Sequence, residues 1–177
     1  MFCVRCGGPL QRTWLGAGPA PAESEIAPAC RDCGYIHYEG PVPVAAAIVR
    51  RDSKLLLVQP RGVSHHALVS GFLEPGESVE DAIIREAAEE SGLTVAVRGI
   101  LGSYAGLPGR NLVLIVCVAD VVSGRLSIQR SELADAAWFT LDTLPAWPPE
   151  WPLHRVFADY ASSEFAARAS ADVSPSR

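Results

Sequence analysis

Five side chains between residues 77 and 90 carry the strongest chemistry in this sequence: Glu77, Arg85, Glu86, Glu89 and Glu90. Ser78 is a good helix N-cap, with Asp81 three residues later able to return a bond to its backbone N–H. Gly92 is a natural stop one residue past the helix. A helix between them projects Glu86, Glu89 and Glu90 within a sector of roughly 100°, while Ala82, Ile83 and Ala87 can pack inward. Like charges one turn apart repel by roughly 0.2–0.5 kcal/mol even when exposed. A cation resolves that conflict, and hard carboxylate oxygens favour Mg²⁺ or Mn²⁺. The ordinary fate of an acidic run is a solvated helix face. Here the spacing of the carboxylates and the bracketing glycines point to a metal instead.

A second set of ligand-type residues stands near the start, as Cys3-Val-Arg-Cys6 and Cys30-Arg-Asp-Cys33, with Gly7 and Gly34 behind the pairs. Two such knuckles suit tetrahedral thiolate coordination of structural Zn²⁺ by Cys3, Cys6, Cys30 and Cys33. In a cytosolic chain, disulfides are the weaker explanation. The connecting segment is longer than in most ribbons, with Trp14 a candidate anchor. His37 reads as a structural hydrogen-bonding residue, because four thiolates already complete a zinc shell. Cys117, inside the apolar run LVLIVCVA, reads as a small hydrophobe.

The elements that must position these groups can be placed by hydrophobic pattern. Residues 1–38 read as the zinc ribbon. The apolar run Val42–Val49 is a buried strand, paired through a polar turn with Lys54–Gln59. Ala67–Val69 leads into the acidic helix. A short strand around Val95–Ile100, a loop from Ser103 to Asn111 and the long apolar strand Leu112–Val122 follow. Further strands are expected at Gly124–Ile128 and Ala136–Leu141, then a helix at Leu153–Ala161, with 162–177 a disordered tail. Strands flanking a helix, with hairpins between them, give an α/β or α+β layered fold with a mixed sheet.

Bulk properties narrow the function classes. A net charge of −5 argues against a broad basic surface, so no strong duplex nucleic-acid binding is expected. No apolar run is long enough to span a membrane, and the opening residues lack a basic and apolar leader pattern. A cytoplasmic location is expected.

The stretch Gly71–Leu93 resembles the Nudix box, Gly-x5-Glu-x7-Arg-Glu-U-x-Glu-Glu-x-Gly-U with U apolar. Gly71, Glu77, Arg85, Glu86, Ala87, Glu89, Glu90, Gly92 and Leu93 match at every defined position. The resemblance implies an α/β/α sandwich over residues 41–161 and a metal-dependent pyrophosphohydrolase. Glu86, Glu89 and Glu90 would be metal ligands, and Glu77 an outer ligand or a partner of Arg85. Arg85 itself would make an ion pair holding the loop to the helix. It also implies a site role for Glu132, which precedes a Trp-Phe strand as in many Nudix hydrolases.

The ribbon before the box, the wording Ser70-Gly71-Phe72-Leu73-Glu74-Pro75-Gly76-Glu77, and the run Glu132–Phe139 are similar to NADH pyrophosphatases and to related ADP-ribose and FAD hydrolases. This chain departs from the first group where an SQPWPFP-type segment belongs, reading Gly102–Asn111 instead. The expected substrate is a nucleoside diphosphate linked to a second moiety (ADP-ribose, FAD or NAD(H)), cleaved to AMP and another monophosphate. Alternatives are nucleoside triphosphate hydrolysis, removal of an NAD-type cap from RNA, and a non-catalytic nucleotide sensor. A homodimer is a candidate assembly. In the departing segment, Tyr104 is a candidate for stacking on a substrate ring and Arg110 for binding phosphate. His65 and His66, before the box, read as surface residues or as substrate contacts.

Overall fold

The computed structural model describes residues 1–12, 27–37 and 40–171; Trp14 lies outside them. It divides into two units, Met1–Pro41 and Val42–Arg177.

In the N-terminal unit, β1 (Leu10–Arg12) and β2 (Pro28–Cys30) pair antiparallel. The knuckle turns close through backbone bonds from Gly7 N–H to Cys3 O and from Gly34 N–H to Cys30 O, at 2.8 and 2.9 Å. Both glycines have positive φ, 77° and 73°, which the tight return of each turn requires.

The second unit is built on a six-stranded mixed sheet. Strands β3 (Val42–Arg51) and β4 (Lys54–Pro60) form a hairpin, whose turn places Asp52 at φ 55°. The others are β5 (Val69–Phe72), β6 (Leu93–Ala105), β7 (Leu112–Gly124) and β8 (Leu133–Phe139). Their order is β6-β7-β3-β4-β8, with β5 also paired to β3; only the β3–β7 pair is parallel.

Alternation along β3 divides the core. Ala45, Ala47 and Val49 face one side, where they pack with Ala82, Ile83 and Ala87 of α1 (Val79–Ser91). Ala46 and Ile48 face the other side, against Leu153, Val156, Phe157 and Tyr160 of α2 (Leu153–Ala161). The small alanines of β3 let helices approach both faces, giving the expected α/β/α sandwich.

Four expectations change. β6 runs on through Ala105, so Ser103 and Tyr104 belong to a strand and the loop shrinks to residues 106–111. Residues 125–129 are not a strand. They fold over the end of α1, where Ser127 and Gln129 donate backbone N–H bonds to Ser91 O and Glu90 O. The last strand starts earlier, at Leu133, because it pairs with β4 from Pro60 onward. The tail forms α3 (Glu164–Ala171), docked where Arg50 binds both Asp120 and the Phe165 carbonyl.

Candidate active site

Helix α1 starts as its sequence requires. Ser78 Oγ accepts the Asp81 N–H at 3.1 Å, and the Ser78 hydroxyl in turn donates to the Asp81 carboxylate at 2.7 Å. The expected return bond to the Ser78 backbone is thus replaced by one to its side chain. Gly92 ends the helix at φ 68°, its N–H bonded to Ala88 O at 2.9 Å.

Arg85 organises the carboxylates. Its Nε and Nη2 donate to the two oxygens of Glu77 at 2.8 and 3.0 Å, and its Nη1 donates to Glu86 at 2.7 Å. Glu89 lies 3.5 Å from Nη1, and Nη2 also reaches the Phe72 carbonyl at 3.1 Å. Hydrogen bonds from Arg85 and from the Glu74 N–H hold Glu77 down at about 2. Gly71 lies against this cluster: a Cβ there would collide with the Glu86 carboxylate.

Glu90 differs from the others. It is 8 % exposed, and its Oε2 is buried with no hydrogen-bond partner. Burial, then the charge of Glu86, pushes its carboxyl up to about 8 despite a bond from the Ser70 N–H; Glu132 and Glu89 add to the rise. A buried carboxyl with one oxygen unpaired among three acids is unfavourable without a cation. The donor set Glu86, Glu89, Glu90 and Glu132 therefore fits a hard divalent metal. Among the described residues, only the cysteines gather three or more ligand atoms within 4.8 Å of one another.

In the other unit, Cys3 and Cys33 sulfurs are 3.6 Å apart and those of Cys6 and Cys30 3.4 Å. A tetrahedron with 2.3 Å Zn–S bonds has edges of about 3.8 Å, so the four thiols fit zinc with little adjustment. His37 is outside this group, its backbone N–H bonded to Pro28 O at 2.8 Å.

A cleft of about 220 Å³ opens on the α2 side of the sheet, lined by Val44, Leu68, Leu107, Leu114, Trp151 and Leu153 among others, with Ser70 its one polar lining residue. Ser70 therefore touches both features, its backbone N–H on Glu90 and its position on the cleft wall. Arg110 is exposed on the loop that contributes Leu107 to the cleft.

Tyr104 is elsewhere. It is buried in the α2-side core, with its hydroxyl donating to Asp159 of α2 at 3.0 Å, so it cannot stack on a substrate. His65 lies beside Trp151, and His66 bonds Asp135 at 3.3 Å. The sequence reading gave no role to Ser70, Trp151 or the exposed Phe72. Ser70 and Phe72 carried a signal, both standing in the box's entry strand; Trp151 depends on long-range packing.

A sandwich with a glutamate-lined helix on one face and an apolar cleft on the other defines the Nudix class of hydrolase folds. The NUDIX domain family matches residues 41–160, and the chain belongs to it. It is 35 % identical over 150 residues to the NAD-capped RNA hydrolase NudC of Vibrio atlanticus (strain LGP32), covering 84 % of this chain and 52 % of that protein. NudC of Vibrio cholerae serotype O1 (strain ATCC 39315 / El Tor Inaba N16961) is 31 % identical over 167 residues, 93 % of this chain and 58 % of that one. The chain thus spans little more than half the length of these curated relatives. A NUDIX hydrolase structure from Nitrosomonas europaea superposes with a TM-score of 0.66 at 22 % identity, over 90 % of this chain and 87 % of that one, and shares the fold. No helix among the described residues is long and apolar enough to cross a membrane.

Proposed function

We propose that the chain hydrolyses the diphosphate bond of a nucleotide joined to a second moiety, with NAD(H) ahead of ADP-ribose and FAD. The observation that carries this reading is Ser70, whose N–H bonds the buried Glu90 carboxyl and whose position lines an apolar cleft sized for one ring system. The NAD-linked chemistry of the 31–35 % identical relatives sets the order of substrates. The same bond in an NAD-linked RNA 5′ end is a second reading, favoured by those relatives' activity.

Glu86, Glu89 and Glu90 would hold Mg²⁺ or Mn²⁺, with Glu132 beside them. Such ions neutralise phosphoryl charge and lower the pKa of a bound water. Arg85 keeps Glu77 and Glu86 in place through its fork of donors. Glu132, held by a bond from Gln129 Nε2 at 3.3 Å, is the acceptor proposed for the proton of the attacking water. The new bond joins that water oxygen to phosphorus as the bridging P–O bond breaks, leaving two monophosphates. Zn²⁺ on the four cysteines has a structural role. A zinc site of four thiolates suits a reducing, cytoplasmic compartment.

The test is incubation with Mg²⁺ or Mn²⁺ and NADH, ADP-ribose, FAD, an NAD-capped RNA or a nucleoside triphosphate, with products separated by chromatography. AMP plus a second monophosphate supports the reading. Pyrophosphate from the triphosphate alone, or no turnover of any substrate, refutes it.

A further inference from the structure

The Pro-rich segment between β8 and α2 (residues 145–152) is fastened at one tryptophan and presents another. Trp147 is buried, its indole N–H donating to the His66 carbonyl at 2.6 Å. Its ring lies flat on Phe157 at 5.3 Å and 9°, and its carbonyl accepts from His154 Nε2 at 3.0 Å. Both β5's approach and α2 are therefore tied to this one residue. Trp151 follows one turn later, its N–H bonded to Pro148 O at 2.9 Å. It is half-buried, lines the cleft, and meets the His65 ring at 5.3 Å and 54°.

Among the residues lining the cleft, Trp151 is the one aromatic side chain, and none is charged. An apolar wall with a single indole can grip a flat heteroaromatic ring by its faces, but has almost nothing with which to read the ring's edge. We propose that Trp151 stacks on the base or nicotinamide ring of the substrate, and that Trp147 is the positioning residue that sets its place. The proposal rests on the diphosphate-hydrolase reading for the identity of the ligand. Its consequence is tolerance. Without buried hydrogen-bonding groups aimed at the ring, adenine and nicotinamide are discriminated by no more than about 100-fold.

The test uses AMP and nicotinamide mononucleotide, products that cannot be hydrolysed further, titrated by calorimetry into the full chain with Mg²⁺ present. Trp151→Leu, which keeps apolar volume without a π face, should weaken both by about tenfold. Trp151→Phe should recover most of that loss. In NADH turnover the same split should fall on KM, with kcat nearly unchanged. Trp147→Phe keeps the stack on Phe157 but lacks the N–H, and should weaken both ligands a few-fold. Equal binding by wild type and Trp151→Leu, a Phe variant no better than Leu, or no binding by wild type would each overturn the proposal. Failure of wild type to cleave any diphosphate, with mononucleotide binding still dependent on Trp151, would refute the activity and leave the ring site standing.

Discussion

Arg85 grips Glu77 through two parallel hydrogen bonds, Nε to Oε1 at 2.8 Å and Nη2 to Oε2 at 3.0 Å. Only a planar guanidinium supplies that fork. A third nitrogen, Nη1, is left for Glu86, so one residue fixes the loop and a candidate metal ligand together.

Arg85→Lys should therefore leave the fold intact and lower turnover on the order of 10- to 100-fold, through misplacement of Glu86. It should also alter acid stability. Glu77 sits at about 2 in the folded protein against an ordinary 4.5. A lowered carboxyl contributes stability that is complete above 4.5 and is lost as pH falls toward 2. Urea midpoints of wild type and variant should differ most near neutrality and converge between pH 4.5 and the onset of acid unfolding. A gap independent of pH would show that the pair contributes nothing through Glu77.

Glu90 has the opposite sign. Its folded value of about 8 lies above the ordinary 4.5, so without metal the folded state holds an extra proton between those values. Stability of the metal-free Nudix unit should fall as pH rises from 4.5 through 8. Mn²⁺ should bind more tightly over the same rise, releasing a proton. Glu90→Gln should remove this pH slope, keep the fold, and lower turnover by about 10²-fold or more. Thermal melts with and without Mn²⁺ from pH 5 to 9 measure the slope; parallel curves for both proteins would contradict the assignment.

Tyr104→Ala should behave as a core deletion, costing about 3 kcal/mol in urea unfolding, whereas Tyr104→Phe removes only the bond to Asp159. In neither variant should the ranking of NADH, ADP-ribose and FAD by kcat/KM change. A shift in that ranking would restore Tyr104 to the substrate site.

The four cysteines should hold one zinc per chain, detectable by elemental analysis of reduced protein. Cys33→Ser should abolish stoichiometric zinc and unfold the N-terminal unit first, since metal binding supplies much of a small module's folding energy. Amide exchange resolved by residue would show loss of protection at β1 and β2 ahead of β3. Zinc retained at full stoichiometry in Cys33→Ser would mean another ligand set.

The box and the knuckles were legible in the sequence because their meaning is local. A helix period turns spacing into a shared face, the capping residues mark its ends, and a C-x2-C turn brings two sulfurs together within four residues. The buried strands β3 and β7 were legible for a related reason, being long unbroken apolar runs. Tyr104 was not. β6 pairs with β7 through three register shifts, at Thr94/Val95, Val97/Gly99 and Ile100/Gly102. Two of these place an extra residue on β6, Arg98 and Leu101, which breaks the alternation between Val95 and Tyr104, so the pattern did not carry the strand on to Tyr104. Residues 125–129 lack a period of their own and take their path from the end of α1. The cleft was decided by tertiary structure alone. Its walls come from β3, β5, β7 and the segment before α2, separated by up to about a hundred residues. Trp151 stands in its wall one turn after Trp147, which has no sequence signature and is fastened to His66 and Phe157. Local spacing thus defined the candidate metal ligands, while contacts distant in the chain formed the apolar cleft in which a substrate ring is proposed to lie.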